Sequence, residues 1–188
     1  EDGEILVKGP NVMLGYYKDE EKTASVMTGD YFHTGDIGEV SEDNFLKITD
    51  RKKEMFKTSG GKYVAPQVIE NVIKQSIFIE QVMVIGEGQK HPAALIQPNF
   101  EAINAWLIEK GEKEMTPNEI ASNPKVNEKV MADVNKANTQ FAQWEKVKKI
   151  HLTLDVWSVD SGHLTPTMKL RRKIIASKYN SEIEAIYN

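Results

Sequence analysis

The sequence predicts an α+β fold, in which a β-rich segment precedes a small domain of mixed strands and helices. Short apolar strands and turn residues alternate through the first fifty residues, as in a β-rich structure. Beyond them, short apolar strands alternate with segments whose apolar residues recur at helical spacing. The 40% hydrophobic and 28% charged residues are the proportions of an ordinary globular protein with a packed core.

The pattern of the first fifty residues predicts strands joined by turns. Residues 5–7 predict a strand, residues 19–25 a polar helical turn, and residues 41–44 the tip of a hairpin. A segment this short could hardly bury a core of its own, because small chains bury too little of their surface. We therefore expect residues 1–50 to be the C-terminal end of a larger β-rich domain.

Helix starts and stops define the elements after residue 50. Proline suits the first turn of a helix, where the N–H that it lacks has no partner, and glycine after the last apolar position ends a helix. In chain order we predict a helix from Pro66 through Ile73, neighbouring strands at 81–85 and 93–97, a helix from Glu101 to Gly111, an amphipathic helix from Pro124 through Phe141, a half-buried strand at 150–156 and a final helix from about Leu170.

The composition excludes several classes of protein. No apolar run approaches the ~18 residues that a membrane-spanning helix needs, and the sequence begins without a signal-peptide pattern. The absence of cysteine excludes disulfides and cysteine-based metal sites, and it fits a cytoplasmic protein. The acidic excess lies in the first 45 residues, and the modest positive charge of the remainder does not favour a nucleic-acid partner.

Two motifs that would specify other chemistry are incomplete. In Ser59-Gly60-Gly61-Lys62 the lysine is followed by Tyr63, and the earlier glycine of a phosphate loop is missing. The four histidines do not have metal-ligand spacing, so no metal site is predicted. Basic residues cluster instead at 51–62 and 169–173, where their N–H groups could donate to the oxygens of a phosphate-bearing ligand.

Four motifs in a fixed order, spread over nearly the whole chain, carry a family resemblance. They are Gly3–Gly9, Tyr31–Gly38, Asp50–Pro66 and Leu164–Lys173. Together they resemble the signatures of acyl-CoA synthetases of the adenylate-forming superfamily, and most of all those of AMP-forming long-chain fatty acid–CoA ligases. Thr167-Met168 stands where many relatives have Ser-Gly before the lysine, which points to the long-chain branch, as does the helical insert at 115–144.

The resemblance implies a domain organisation and a reaction. Residues 1–50 would end the large N-terminal adenylation domain, and residues 51–188 would form the mobile C-terminal lid domain. Such enzymes use ATP, releasing pyrophosphate, to convert a fatty acid into an acyl-adenylate, and then exchange AMP for CoA. Mg²⁺ is expected through the N-terminal domain, and peripheral membrane contact stays open for the helical insert. Because the N-terminal domain also holds the phosphate loop and the acyl pocket, this chain alone is expected to be inactive.

The resemblance also assigns roles to individual residues. Lys169 would stabilise charge on the bridging oxygens as the carboxylate attacks the α-phosphorus of ATP. Asp36 would accept hydrogen bonds from the ribose hydroxyls of the nucleotide, and Arg51 would hold the same ribose or the phosphates. The remaining assignments are Lys53 as the hinge between two domain poses, and Gly60 and Gly61 as glycines that border the pantetheine tunnel.

Two alternatives remain open. A member of the same superfamily could stop at the acyl-adenylate, or could load an acyl carrier protein instead of CoA. A chain of another class would be a non-catalytic α+β interaction module, which would bind its partner through a surface away from Lys169.

Overall fold

The computed structural model describes residues 3–52 and 54–188, which cluster into two compact units. The first, Glu1–Met55, is a small antiparallel sheet, and the second, Phe56–Asn188, combines a three-stranded sheet with helices. This mixture of helices and strands confirms the predicted α+β fold class. The assignment of residues 1–50 and 51–188 to two domains of a larger enzyme stays a prediction.

The first unit is built around one long strand. This strand, β3 (Tyr31–Val40), pairs in antiparallel fashion with β1 (Glu4–Val7), β2 (Met27–Thr28) and β4 (Leu46–Arg51), and α1 (Glu20–Val26) precedes β2. The pairing of Val40 with Leu46 confirms the hairpin predicted with its tip at 41–44. No side chain that the structure describes in this unit is fully buried.

The second unit begins with a short hairpin, and its further elements alternate between strand and helix. They are β5 (Phe56–Lys57), β6 (Tyr63–Val64), α2 (Pro66–Ile73), β7 (Ile79–Ile85), β8 (Ala93–Pro98), α3 (Phe100–Glu109), α4 (Pro117–Ser122), α5 (Pro124–Ala137), β9 (Lys149–Leu152), α6 (Arg172–Lys178) and α7 (Asn180–Tyr187). β8 is the central strand of the sheet, antiparallel to β7 and parallel to β9. The predicted helix at 66–73 and the strands at 81–85 and 93–97 are confirmed.

Two hydrophobic clusters cover the two faces of this sheet, as the alternation of side chains along a strand requires. Val82 and Val84 of β7 pack in the larger cluster with residues of α2, α3, α4 and α5. Met83, which lies between them, packs in the smaller cluster with Trp157, Leu164 and residues of α6 and α7. The chain that follows β9 therefore packs on the opposite face of the sheet from α2 and α5.

The strand predicted at 150–156 is too long, because β9 ends at Leu152. The Thr153 N–H still donates to the Ile96 carbonyl at 2.7 Å, but the next donor on β8 would belong to Pro98, which has no N–H. Beyond this point the chain turns to the other face of the sheet, where the N–H of buried Trp157 donates to Gln97 Oε1 at 2.8 Å.

Two predicted helix boundaries are also wrong, and both have tertiary causes. The helix predicted through Phe141 is α-helical only to Ala137 and continues as a 3-10 turn, Asn138–Gln140, where the buried Asn138 side chain exchanges hydrogen bonds of 2.8 and 2.9 Å with the Val147 backbone. The final helical stretch is divided into α6 and α7 at Tyr179, whose side chain is buried in the smaller cluster.

Candidate functional site

Asp36 and Arg51, the residues assigned to the nucleotide, lie opposite each other in the first unit. Asp36 is on β3 and Arg51 is on β4, and the two residues pair across the antiparallel ladder. Arg51 Nε lies 3.1 Å from Asp36 Oδ1, and 57% and 24% of the respective side chains are exposed. A guanidinium group has five N–H donors and a carboxylate only acceptors. The two side chains therefore bring hydrogen-bond donors and acceptors to one place on the sheet.

Hydrogen bonds fix an irregular part of β3, the bulge at residues 34–36, which presents Asp36. Gly35 has φ +72°, a left-handed conformation that glycine adopts without steric cost. The Asp36 N–H donates to Thr34 Oγ1 at 3.1 Å, and the Thr34 hydroxyl donates to the Ile5 carbonyl at 2.7 Å. The Lys52 N–H donates to the Gly35 carbonyl at 2.8 Å, so β1 and the residue that follows β4 both hold the bulge.

A carboxylate that the sequence did not single out holds the same bulge. Glu4 of β1 has a side chain 7% exposed, and it accepts hydrogen bonds from the Gly35 N–H (3.1 Å) and Lys52 Nζ (2.7 Å). His33 Nδ1 lies 2.9 Å from Glu4 Oε2, and His33 Nε2 lies 2.8 Å from Thr28 Oγ1. Hydrogen bonds from Lys52, and then from His33, hold the pKa of Glu4 below its ordinary value. The sequence signal for this role was weak, since Glu4 is one of three acidic residues among the first four of the chain.

Lys53, the predicted hinge, lies outside the described residues, so its role stays a prediction. The division between the two compact units follows Met55, close to Lys53 in the chain. A hinge absorbs changes of backbone torsion at a few residues, and a position near such a division is where one is expected.

Gly60 and Gly61 lie at the tip of the β5–β6 hairpin in the second unit. The loop closes through hydrogen bonds from the Thr58 N–H to the Lys62 carbonyl and from the Gly61 N–H to the Thr58 carbonyl, both 2.9 Å long. Gly61 has φ +77°, which favours glycine. A Cβ atom at Gly60 would meet only the Thr58 hydroxyl, 3.9 Å away. The space beside Gly60 is therefore open to the close approach of a ligand.

Lys169 is exposed in the second unit, at the end of a tight turn that precedes α6. The Thr165 N–H donates to the Lys169 carbonyl and the Met168 N–H to the Thr165 carbonyl, both at 2.8 Å, and the Lys169 N–H donates to Thr165 Oγ1 at 3.1 Å. Met168 has φ +60°, a conformation that few residues other than glycine adopt. Leu164 and Leu170 pair across the turn. We call residues 164–170 the lysine hairpin; its backbone is fixed while the lysine side chain reaches solvent.

A buried ion pair lies at the base of the lysine hairpin. Arg172 donates from Nη1 to Glu70 Oε1 at 2.8 Å and from Nη2 to Glu70 Oε2 at 2.6 Å. Glu70 Oε1 also accepts the N–H of Val84 at 2.7 Å, so one carboxylate joins α2, β7 and the start of α6. The side chains of Arg172 and Glu70 are 23% and 7% exposed. Sequence reasoning missed this pair, although Glu70 is a charged residue on the apolar stripe of α2.

Polar side chains also order the chain that leads into the lysine hairpin. Asp155 accepts hydrogen bonds from Lys178 Nζ (2.7 Å) and from the Tyr179 hydroxyl, and Lys178 Nζ lies 3.4 Å from Nε2 of buried His163. The hydrogen bond from Lys178 lowers the pKa of Asp155, while burial, and then the bond to Asp155, raises the pKa of Tyr179 to about 12. Burial lowers the pKa of His163, whose Nδ1 lies 2.7 Å from Ser161 Oγ.

The structure therefore brings Asp36 and Arg51 together in one unit and presents Gly60, Gly61 and Lys169 on two separate hairpins of the other. In residues 3–52 and 54–188, no three His, Asp or Glu side chains form a group that could hold a metal ion. Over the same part of the chain, no helix has the length and apolar character needed to cross a membrane.

Comparison with known proteins relates the chain to enzymes that activate carboxylic acids. A family model described as AMP-binding enzyme C-terminal domain matches residues 53–188. Long-chain-fatty-acid–CoA ligase FadD15 of Mycobacterium tuberculosis is 39% identical over 189 residues, which cover 100% of this chain and 32% of that protein. Long-chain-fatty-acid–CoA ligase 1 of Homo sapiens is 38% identical over 191 residues, which cover 100% of this chain and 27% of that protein. The chain thus spans about a third of the length of these relatives, from 27% to 32%.

Solved structures show the same fold. The adenylation domain of a carboxylate reductase from Mycobacterium chelonae matches 98% of this chain with a TM-score of 0.79 and 24% identity, over 27% of its own length. The A domain of a carboxylic acid reductase from Segniliparus rugosus was solved in complex with AMP and a co-purified carboxylic acid. It matches 98% of this chain with a TM-score of 0.78 and 25% identity, over 28% of its own length.

Proposed function

Since this chain belongs to the family of AMP-binding enzyme C-terminal domains, we propose that it is the C-terminal part of an ATP-dependent long-chain fatty acid–CoA ligase. The observation that carries the proposal is the exposed Lys169 at the end of a hydrogen-bonded turn, in a chain with the motifs of the superfamily. Identities of 39% and 38% to two long-chain-fatty-acid–CoA ligases support the substrate class. Because the chain spans 27% to 32% of these relatives, it supplies only part of the active site.

The proposed reaction has two steps. In the first, a carboxylate oxygen of the fatty acid attacks the α-phosphorus of ATP, the bond from that phosphorus to pyrophosphate breaks, and acyl-adenylate forms. In the second, the CoA thiol loses its proton, the sulfur attacks the acyl carbon, and AMP leaves as the thioester forms. Both reactants of the first step are anionic, so that step needs positive charge where they meet.

We assign this positive charge to Lys169. An ammonium group beside the bridging oxygens stabilises the charge that moves onto them, and loss of one such electrostatic group typically lowers a rate by about 10²–10³. A lysine side chain is flexible, so a fold can fix only its point of attachment. The hydrogen-bonded turn from Thr165 to Lys169 supports the assignment, because it fixes this point.

The other predicted residues bind ATP, border the path of CoA or act as the hinge. Asp36 accepts hydrogen bonds from the ribose hydroxyls of ATP, and Arg51, which lies 3.1 Å from it, donates to the same ribose or to the phosphates. Lys53 is the hinge between the adenylating and the thioester-forming poses. Gly60 and Gly61 border the tunnel for the pantetheine arm of CoA, and the open space beside Gly60 supports this assignment.

Other components of the reaction lie outside this chain. The residues that the structure describes do not offer a set of side chains for Mg²⁺, so the metal would be held by the rest of the ligase. Peripheral contact of α5 with a membrane has little support, because its exposed surface carries Glu128 as well as Lys125. A cytoplasmic location agrees with a sequence that contains no cysteine.

The proposal is tested by replacing Lys169 in the ligase that contains this chain. With Lys169→Ala, we expect adenylation of palmitate, followed as ATP–pyrophosphate exchange, to fall by about 10²–10³. Thioester formation from preformed acyl-adenylate and CoA should change little. Lys113→Ala, at an exposed lysine before α4, is the matched control and should leave both half-reactions unchanged.

If neither half-reaction changes in Lys169→Ala, the catalytic assignment is wrong and the alternative of a non-catalytic interaction module gains support. A carrier-protein thiol offered in place of CoA identifies the acceptor. The 188-residue chain alone should form neither acyl-adenylate nor thioester. Activity of the purified chain would refute the proposal that its active site is shared with a larger domain.

A further inference from the structure

We propose that Glu70 and Arg172 form a positioning pair, which sets the orientation of the lysine hairpin and through it the place of the Lys169 ammonium group. The consequence for catalysis rests on the proposed function, whereas the consequence for the hairpin does not. Neither residue needs to touch a substrate, because both would act through Lys169.

The geometry of the pair is directional. Two parallel N–H···O contacts of 2.8 and 2.6 Å join the guanidinium of Arg172 to the carboxylate of Glu70, so the two planar groups are fixed in rotation as well as in distance. Glu70 is itself held by the Val84 N–H at 2.7 Å. The pair links residues 102 positions apart in the chain, and therefore ties the start of α6 to α2 and β7.

Apolar packing cannot supply the same directionality. Leu164 at the base of the hairpin and Ile175 of α6 are buried in the smaller cluster, which keeps this segment against the sheet. Hydrophobic burial is non-directional, so it leaves rotation of the hairpin weakly restrained.

Arg172 is also the first residue after Lys169 that bonds to a distant part of the chain. In the described part of the protein, residues 164–170 form hydrogen bonds within residues 158–170, as in the bond from the Leu164 N–H to the Ser158 carbonyl. Three residues span at most about 10 Å of extended chain. Because this link is short, a rotation at Arg172 would also move Lys169, and the ion pair restrains that rotation.

The burial of the pair also supports a positioning role. Buried ion pairs often stabilise a fold no more than apolar side chains of similar volume would, because both charges lose their hydration. A pair with side chains only 7% and 23% exposed is therefore weakly explained by stability alone. Its place directly after the lysine hairpin gives it a use that apolar side chains could not serve.

The first test measures the hairpin in the 188-residue chain itself. The double variant Glu70→Gln/Arg172→Met removes both charges, while Gln still accepts the Val84 N–H and Met fills the space of the arginine stem. We expect amide hydrogen exchange at Met168 and Lys169, measured by NMR, to become about tenfold faster or more, with no change at Leu107 in α3. Lys125→Met, which breaks an exposed ion pair on α5, is the control and should leave the hairpin unchanged.

The second test measures the same variants in the ligase that contains this chain. Small misplacements of a reacting group can lower rates up to about 100-fold, so we expect the adenylation kcat of the double variant to fall about 10–100-fold while KM for ATP changes little. Arg172→Lys keeps the charge but loses the two-point contact, and should give intermediate exchange and intermediate kcat. If the double variant does not fold, exchange and kcat of Arg172→Lys test the inference in its place.

Unchanged exchange at Met168 and Lys169 overturns the inference, even if Lys169→Ala abolishes adenylation and so supports the proposed function. If Lys169→Ala is inactive but the double variant combines faster exchange with normal adenylation, the catalytic consequence of the pair is also overturned. If Lys169→Ala is fully active while exchange is faster, the pair orients the hairpin and it is the proposed function that fails.

Discussion

The two candidate sites of this protein are held in place by different means. In the first unit, the bulge of β3 that bears Asp36 lies on a sheet in which no described residue is fully buried, and hydrogen bonds to Glu4 and Thr34 hold it. In the second unit, the lysine hairpin stands on a sheet with hydrophobic clusters on both faces, and the Glu70–Arg172 pair lies at its base.

The difference concerns what can replace a lost contact. The Asp36–Arg51 pair, with side chains 24% and 57% exposed, is partly solvated, so water can replace either partner. The Glu70–Arg172 pair, with side chains 7% and 23% exposed, is less accessible to water, so water replaces a lost partner less readily there. We therefore expect the Asp36–Arg51 pair to adjust when its surroundings change and the lysine hairpin to keep one arrangement.

The largest effect should come from breaking the buried pair on one side. Glu70→Ala should lower the free energy of unfolding of the second unit by about 3–5 kcal/mol. All three tryptophans belong to this unit, so tryptophan fluorescence in urea reports its unfolding. Asp36→Ala should change amide exchange in β3 and β4 by about 1 kcal/mol or less. Equal effects of the two changes would contradict the distinction between the sites.

A comparable loss is expected from the core of the second unit but not from the sheet of the first. Leu95 of β8 is fully buried, and Leu95→Ala should lower the free energy of unfolding by about 2–5 kcal/mol, because it leaves a cavity. Ile48 of β4 is 61% exposed, and Ile48→Ala should change stability by about 0.5 kcal/mol or less. Urea unfolding measures the first change and amide exchange the second; a large loss from Ile48→Ala would indicate packing that this sheet does not show.

A smaller effect separates two neighbouring glycines. Gly61 has φ +77°, so Gly61→Ala should lower stability by about 1–2 kcal/mol in urea unfolding. Gly60 has open space beside it, and Gly60→Ala should leave stability nearly unchanged. In the ligase, Gly60→Ala should instead slow thioester formation from acyl-adenylate, because the added methyl group enters the proposed tunnel. A normal rate would remove Gly60 from that tunnel.

The smallest effect should be the acid response of the first unit. The folded state lowers the pKa of Glu4 below 4.5, so the stability that this carboxylate contributes is complete above its unfolded pKa and is lost as the pH falls through its folded pKa. Exchange of the Gly35 amide should therefore become faster on acidification below about pH 4.5, after correction for the intrinsic rate. Glu4→Gln, which cannot ionise, should abolish this response, and a response that persists would have to come from another carboxylate.

Local sequence patterns predicted most elements but failed where contacts with distant residues determine the end of a helix or strand. The helix starting at Pro66 and the hairpin at 41–44 follow from spacing and turn residues close in the chain. The end of α5 depends on the Asn138 side chain bonding to Val147, and the end of β9 depends on Pro98 of another strand. Nothing in the local sequence near either end contains that information.

The candidate site shows the same limit. Asp36 and Arg51 meet because they lie on adjacent strands of one hairpin, so short-range pairing is enough to join them. Glu70 and Arg172 meet over 102 residues, and only the folded sheet brings them together. The signal in the sequence was Glu70, a charged residue on the apolar face of a helix. Such a residue indicates that a partner is needed but not which residue it is.

The backbone of Met168 has a further consequence for the residue that follows it. A left-handed φ of +60° is costly for a residue with a side chain, by about 1–2 kcal/mol, and glycine would relieve that strain. Glycine would also widen the range of conformations open to the turn, because it has no Cβ to restrict it. With methionine, the tip of the lysine hairpin is locally strained but has few alternative backbone conformations. The direction in which the Lys169 side chain leaves the backbone is therefore fixed before a substrate binds.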